Sequence, residues 1–424
     1  MTYEQALEYI HGVNWTFCKP GLERIGELCS ALGNPERSLR FIHVAGTNGK
    51  GSFSSMTASV LTACGLKVGL YTSPFILRFN ERMRINGEDI PDKRLAELTE
   101  RVKPIADAMT DKPTEFELIT AIALLYFSEE NVDVVVLECG MGGRLDSTNV
   151  IKSTLLSVIT GIALDHTAYL GDTTEKIAME KAGIIKHGCP VLFGGEDPDA
   201  ARVIAKEAEL CGSPLYRPDY SLIELKKADL SGTAFDYKTH KGVEISLLGL
   251  YQPRNAALVL EALDILKDKL PEINESDVLR GLKGARWQAR FEKLCDSPTV
   301  IFDGAHNPEG IRSATESISH YFPKGGVIAV SGVLKDKDYN VIADELARVV
   351  SDAFTITPNS PRALSAEDYA EVLRERGINA RPTESVREAL VLAKQAAERT
   401  EKPIVCLGSL YTYIDVFDAI NDKK

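Results

Sequence analysis

Short runs of apolar and β-branched residues recur along the first half of the chain, separated by amphipathic stretches of helix length. The runs are FIHVA (41–45), KVGLYT (67–72), VDVVVLE (132–138), TLLSVIT (154–160) and PVLFG (190–194). They are continuous rather than alternating, which is the pattern of strands covered on both faces. The segments 51–64, 92–109, 116–130 and 173–187 carry helical spacing and supply the crossovers. The pattern therefore predicts an α/β fold around a mostly parallel sheet with flanking helices. Residues 221–249 break the rhythm, alternating polar and apolar positions around Ser231-Gly232 and Lys241-Gly242, and predict a small antiparallel appendage. Helical periodicity returns over 254–269 and 276–283.

Gly281, Gly284 and the run ARWQARFEKL then interrupt the helical pattern, which places a linker at 286–296. A second, shorter alternation follows: TVIFDG, a helix after Pro308, GVIAVSGV, a helix from Tyr339, AFTITP, a helix from Ala366, another near 384–398, PIVCLGS and a terminal helix. Two domains are expected, residues 1–285 and a smaller, Rossmann-like α/β domain over 297–424. A chain of 424 residues is too long for one core, since single cores stop growing near about 250–300 residues. No internal repeat or low-complexity segment is evident.

Composition narrows the function classes. With 44% hydrophobic and 26% charged residues the chain reads as a globular enzyme. Its net charge of -12 disfavours nucleic acid and anionic membranes as partners, so an anionic ligand needs a local positive site. The opening MTYEQALEYI lacks the basic start and apolar stretch of a signal peptide, and no apolar run reaches membrane-spanning length. The eight cysteines are scattered without a C-x-x-C pair; they are expected to be mostly buried, without chemistry, in a reducing cytoplasm.

The clearest chemical signal is GTNGKGS, Gly46 to Ser52, set between strand FIHVA and a helix ending at Gly65. A strand, a glycine-rich turn and a helix N-terminus aim the backbone N–H groups of Thr47, Asn48, Gly49, Gly51 and Ser52 at one anion, and Lys50 adds a mobile charge for terminal phosphates. Gly51 stands where a magnesium-binding Ser or Thr usually follows the lysine. Metal ligands must then come from elsewhere, and two candidates sit at strand ends: Ser73 after KVGLYT and Glu138 within VDVVVLECGMGG. An acidic residue closing an apolar strand is costly unless it meets a cation or partner. Gly140, Gly142 and Gly143 then suggest a loop where substrate approaches the backbone, with Arg144 and Asp146 following. His166 lies just past another strand, as a ligand or as a structural histidine. Lys181, on its own, reads as a solvated helix charge.

Taken in order, GTNGKGS, YTSPFILRFNERMRI, TEFELITA, ECGMGGRLDSTNVI, ALDHTAYLG, EKAGIIK, DGAHNPEG and GSLY make the chain resemble the folylpolyglutamate synthases of the Mur ligase superfamily, from about residue 3 to the C-terminus. The resemblance implies a Mur ligase-like fold with ATP bound between two domains and two Mg²⁺ ions held by Ser73, Glu138 and His166. It also implies a carbamate on Lys181 supporting the second ion, with a place for K⁺ or another monovalent cation. Asn255, Arg290 and Asp303 match nucleotide-contacting positions, Asp303 as the ribose partner; His306 and Ser409 match positions near the incoming glutamate. Thr114, Phe116 and Asp146 match the pterin site, although Phe116 read alone is as well a core residue. Independently, DGAHNP follows a strand and opens a helix at Pro308, which is expected to turn its polar side chains toward the interdomain cleft; an N-capped helix start alone would explain Asn307 but not Asp303 and His306.

The activity implied is ATP-dependent addition of L-glutamate to the γ-carboxylate of tetrahydrofolate through an acyl phosphate, in a cytoplasmic monomer whose partners are ATP, glutamate and a reduced folate. Many relatives read S-P-H where this chain has Ser73-Pro74-Phe75, which tilts the reading away from an additional dihydropteroate-joining activity without removing it. Where W-P-x-R is common, Trp287-Gln288-Ala289-Arg290 keeps the arginine and loses a rigid turn. A peptidoglycan-precursor ligase would need a sugar-nucleotide domain ahead of the phosphate loop, which begins by residue 46. A nucleotide-binding regulator without turnover would not need Glu138, His166, Lys181 and Asp303 together.

Overall fold

The structure is a computed structural model and describes residues 1–13, 21–324 and 326–421. By its internal contacts the chain forms two compact units. The first comprises Met1–Ile223, Tyr237–Val243 and Arg254–Ala285; the second comprises Glu224–Asp236, Glu244–Pro253 and the chain from Arg286 onward.

The first unit is built on an eight-stranded sheet. Its strands are β1 (Phe41–Ala45), β2 (Val68–Tyr71), β3 (Met83–Ile85), β4 (Glu88–Asp89), β5 (Val134–Glu138), β6 (Leu156–Ile159), β7 (Val191–Phe193) and β8 (Leu215–Tyr216), in the order β4-β3-β2-β5-β1-β6-β7-β8. β2, β5, β1, β6, β7 and β8 run parallel, while β3 and β4 are antiparallel at one edge. Because Tyr71 pairs with Leu137, Val44 with Glu138 and Ala45 with Ile159, the loops leaving β2, β5, β1 and β6 emerge side by side. The C-terminal edge of an open parallel sheet is where such folds gather ligands.

The helix Glu115–Glu129 starts at a capping box in which the Thr114 hydroxyl accepts from Glu117 N and the Glu117 carboxylate accepts from Thr114 N. Residues Glu117 to Phe127 are all buried, so this helix is apolar on every side and sits inside the unit, packed with Phe41, Tyr71 and Leu137. The expected crossover helices are present as Lys50–Ala63, Asp92–Ala108, Glu115–Glu129 and Thr174–Ala182. Helices Tyr3–Gly12, Glu23–Ala31 and Pro198–Leu210, and the short strands β3, β4 and β8, were not legible in the strand rhythm.

The appendage is a three-stranded sheet of β9 (Ile223–Asp229), β10 (Gly232–Tyr237) and β11 (His240–Ile245), in the order β11-β10-β9. The second unit carries β12 (Glu292–Asp296), β13 (Thr299–Asp303), β14 (Val327–Ser331), β15 (Val350–Thr355), β16 (Asn379–Pro382) and β17 (Ile404–Leu407), ordered β12-β13-β17-β14-β15-β16. All pairs are parallel except β12 with β13. β12 falls within the residues expected as a linker. Its sequence, EKLCD, is a charged, partly exposed edge strand, and such strands lack the apolar run that reveals buried ones. Ile301, Ile311, Val327, Ile342, Tyr369 and Val405 form the core of this unit.

Among the described residues no helix is long and apolar enough to cross a membrane. Cys29, Cys139 and Cys406 are buried, but Cys64, Cys189, Cys211 and Cys295 are partly exposed, so burial is less general than composition suggested; all seven are free thiols. Cys18 lies outside the described residues.

Candidate active site

β1 delivers the chain into the glycine loop, and the helix Lys50–Ala63 begins directly after Gly49, which adopts a left-handed φ of 86°. A Cβ at Gly49 would stand 2.9 Å from Asn255 Oδ1, so glycine is required there and the Asn255 amide lies against the loop. The loop is fastened to the segment that follows β6. Thr47 N donates to Gly161 O at 2.8 Å, Ala163 N to Thr47 Oγ1 at 3.0 Å, and Thr160 Oγ1 to Asn48 O at 2.6 Å. Gly46 leaves no room for a Cβ against Thr160. Lys50 Nζ donates to Gly46 O at 3.0 Å and to Thr47 O at 3.2 Å. Gly51 and the buried Ser52 occupy the first helical turn.

A second lysine shares the Gly46 carbonyl: Lys181 Nζ donates to it at 2.8 Å. Lys181 is buried, 4% exposed, rather than the solvated helix charge that its sequence context suggested. The signal was present in the spacing, because Ile177 and Ala178 precede it by four and three residues on the inward stripe of Thr174–Ala182. Burial first, and then the Lys50 ammonium, push the Lys181 amine down to about 7, against the opposing pull of Cys139, Asp165 and Asp146.

Glu138 closes β5 opposite Val44 and is 3% exposed. Ser73 lies two residues past β2, partly buried. His166 adopts a left-handed φ of 50° before the helical turn Thr167–Leu170, with an exposed side chain whose Nε2 is 4.0 Å from Asp165 Oδ2. The sheet order thus lines up Ser73, Glu138, the phosphate loop and His166 along neighbouring strand ends. The Asp165 side chain is only 9% exposed, and its field reaches Lys181. Asp165 precedes His166 directly in the sequence, where nothing separates it from an ordinary solvated carboxylate. Among the described residues no three His, Cys, Asp or Glu side chains converge as a ready-made cation cage.

Beside these strand ends the first unit holds a cavity of about 370 Å³, lined among others by Arg24, Arg82, Thr114, Phe116, Leu145 and Ser147. Thr114 and Phe116 therefore face one space, and Phe116 also packs on the core. Asp146 sits between two lining residues with its carboxylate turned inward, accepting from Met141 N at 2.8 Å, Thr148 N at 3.0 Å and Thr148 Oγ1 at 2.5 Å. Burial raises its pKa, and these hydrogen bonds work against the rise. Thr148 Oγ1 also lies 2.9 Å from Nε2 of the buried His43, which ties the loop to β1. Internal packing by itself requires two of the loop glycines: a Cβ at Gly140 would stand 2.7 Å from the Phe116 ring, and one at Gly143 2.9 Å from Glu180 O.

In the second unit the predicted residues gather at the ends of β13 and β17. Asp303 Oδ2 accepts from Tyr251 OH at 2.7 Å and Phe291 N at 2.9 Å, and Oδ1 accepts from Ala305 N at 2.8 Å. Burial raises the Asp303 pKa, and nearby Arg290 draws it back down. The His306 ring Nδ1 donates to Gly304 O at 2.8 Å. Ser409, 2% exposed, accepts from Tyr411 N at 3.3 Å just past β17, whose Leu407 pairs with Asp303. Tyr251 was missed in the sequence; it is the hydroxyl that orients the Asp303 carboxylate.

Residues 44–263 match the family model of the Mur ligase middle domain, and 289–410 that of the Mur ligase glutamate ligase domain. The chain is 40% identical over 424 residues to the folylpolyglutamate synthase of Lacticaseibacillus casei, spanning 97% of both. It is 37% identical over 427 residues to the dihydrofolate synthase/folylpolyglutamate synthase of Bacillus subtilis strain 168, spanning 98% of both. A solved FPGS–AMPPCP–folate complex superposes with a TM-score of 0.87 at 38% identity, covering 99% of this chain and 100% of that one. The chain belongs to the Mur ligase family and, within it, to the folylpolyglutamate synthases.

Proposed function

We propose that the protein joins L-glutamate to the γ-carboxylate of tetrahydrofolate and its polyglutamates, consuming ATP and releasing ADP and phosphate. The observation that carries this is the convergence of Lys50 and Lys181 on the Gly46 carbonyl, at a phosphate loop flanked by the buried Glu138. The adjoining cavity with Thr114 and Phe116 supports a pteroyl group as the body of the acceptor. The complex of a related FPGS with AMPPCP and folate supports the same pair of ligands.

A carboxylate cannot be displaced by an amine directly, because its leaving group would be oxide. The γ-carboxylate oxygen attacks the γ-phosphorus of ATP, the bond to the β-phosphate oxygen breaks, and an acyl phosphate and ADP result. The amine of glutamate then attacks the acyl carbon, phosphate leaves and the ammonium proton is lost. Loop amides from Asn48 to Ser52 and the Lys50 ammonium hold the phosphates in line, the Thr47 N–H being committed to Gly161 O. Asn255 supports the loop at Gly49. Arg290 and Asp303 serve the nucleotide and ribose, and His306 and Ser409 the incoming glutamate.

Two Mg²⁺ ions supply neutralisation of the charge on the phosphoryl oxygens when bound. Glu138, Ser73 and His166 would hold them. The buried Glu138 carboxylate and the Ser73 hydroxyl are hard oxygen donors of the kind magnesium takes. An amine lowered to about 7 is about half uncharged at neutral pH, which gives attack on CO₂ the free base it requires. Lys181 as a carbamate would then offer a carboxylate to the second ion. A bound monovalent cation and a monomeric, cytoplasmic state complete the proposal; the free thiols suit a reducing compartment.

Glutamate-dependent ADP release from tetrahydrofolate and ATP tests this. Lys50→Ala is expected to lower kcat at least about 100-fold; an unchanged rate would overturn the assignment. The double name of the Bacillus subtilis relative favours a second activity, glutamate addition to dihydropteroate. Turnover of dihydropteroate by the purified protein would establish it.

A further inference from the structure

The cavity that houses Thr114 and Phe116 contains two arginines in opposite circumstances. Arg24 is neutralised: its Nε donates to Glu117 Oε2 at 2.9 Å, and its Nη1 lies 3.3 Å from Asp111 Oδ2. Arg82 is not. Its buried Nε makes no hydrogen bond, and no carboxylate of the described residues pairs with its guanidinium. It is held instead by two aromatic faces, with its Cζ 5.2 Å from the centre of the Phe75 ring and 5.6 Å from that of Phe79. Its backbone is pinned where Thr72 N donates to Arg82 O at 3.1 Å, just past β2. Burial opposes its charge and lowers its pKa, while Tyr71, Glu115 and Glu138 act on it from a distance. Arg82 is partly buried, and drawing a guanidinium partly out of water without a bound anion has a cost that the two rings offset only in part and a ligand carboxylate would offset further.

We propose that Arg82 recognises the α-carboxylate of the acceptor's terminal glutamate, the carboxylate that does not react. This rests on the pteroylglutamate acceptor argued above. The planar, forked guanidinium matches a carboxylate through two parallel hydrogen bonds. Arg82 lines the cavity, and its field also reaches Glu138 at the strand end beside the phosphate loop. A group so placed meets the glutamate end of the acceptor rather than the pterin. The reacting γ-carboxylate must keep a free oxygen for phosphorus and loses its negative charge on acylation. The α-carboxylate keeps its charge throughout, and a guanidinium wedged between two rings suits a permanent partner. Holding it would present the γ-carboxylate alone to ATP, which makes Arg82 a determinant of linkage position.

The test compares binding of tetrahydropteroylglutamate, its α-carboxamide analogue and tetrahydropteroate, which lacks the glutamate, by fluorescence titration of the full chain. Wild-type protein is expected to bind the α-carboxamide about 10- to 100-fold more weakly than the parent acid, the range of one charge-assisted hydrogen-bonded pair. Arg82→Gln should weaken the parent acid by a similar factor and leave tetrahydropteroate and ATP within about twofold, with Arg82→Lys intermediate. Equal wild-type affinity for acid and carboxamide overturns the proposal, whether or not the variants fold. So does an equal loss for acid and tetrahydropteroate in Arg82→Gln, which would mean that Arg82 only shapes the cavity. If wild-type protein bound none of the pteroyl compounds, the acceptor itself would be wrong.

Discussion

Replacing Lys181 by methionine isolates what burying its charge does to the fold. Lowering the amine from its ordinary 10.5 to about 7 disfavours the buried ammonium by about 5 kcal/mol, at about 1.4 kcal/mol per pH unit. The folded amine is depressed below the unfolded one, so between the two values the unfolded chain binds more protons and stability rises with pH. With a folded value near 7 and an unfolded value near 10.4, the destabilisation is about 4 kcal/mol at pH 7 and about 1 kcal/mol at pH 9.5. Methionine has similar length and no charge. It also loses the 2.8 Å hydrogen bond to Gly46 O, but that offset is the same at every pH. Urea unfolding of both proteins in CO₂-free buffer is therefore expected to show wild-type stability gaining about 3 kcal/mol on Lys181→Met between pH 7 and 9.5. A difference flat in pH would mean that the ammonium is hydrated in the folded protein, and the physical case for an uncharged, CO₂-reactive Lys181 would fail. In ¹³C-bicarbonate, a carbamate resonance present in wild type and missing from Lys181→Met completes the assay.

Gly140→Ala brings a Cβ to 2.7 Å from the Phe116 ring, so it should displace that ring, cost about 1–3 kcal/mol of stability and raise KM for the folate while leaving KM for ATP unchanged; unaltered folate kinetics would show that the ring is not held by this contact. His240 is buried between Asp264, 3.3 Å away, and both oxygens of Glu275, each 2.9 Å away. The hydrogen bond to Asp264 first, and the Glu275 pairing with it, raise its pKa over the opposing effect of burial. A raised histidine stabilises fully below its unfolded value of about 6.5 and loses that contribution as pH rises through the folded value. His240→Gln should thus destabilise by about 1 kcal/mol near pH 6, a figure kept small because the carboxylates are partly exposed, and by less near pH 9; a midpoint difference that grows with pH would contradict the pairing.

Much of the site was legible because its chemistry is local. The phosphate loop needs only a strand, glycines and a helix in order, and Glu138 declares itself as an acid closing a run of valines. The crossover helices and buried strands showed through their continuous apolar patterning. Edge strands β8 and β12 did not, since an edge strand has little to bury.

What depended on tertiary structure was the surroundings of each group, because desolvation and pairing are set by residues distant in sequence. Nothing near Lys181 in the chain says that it meets the Gly46 carbonyl 135 positions away. Asp146 sits among glycines that suggested a substrate loop, yet packing commits its oxygens to Met141 and Thr148. Arg24 and Arg82 are both plain arginines in sequence. Only the fold, by giving one its carboxylates and the other two aromatic rings, separates a buried structural ion from one available to a ligand.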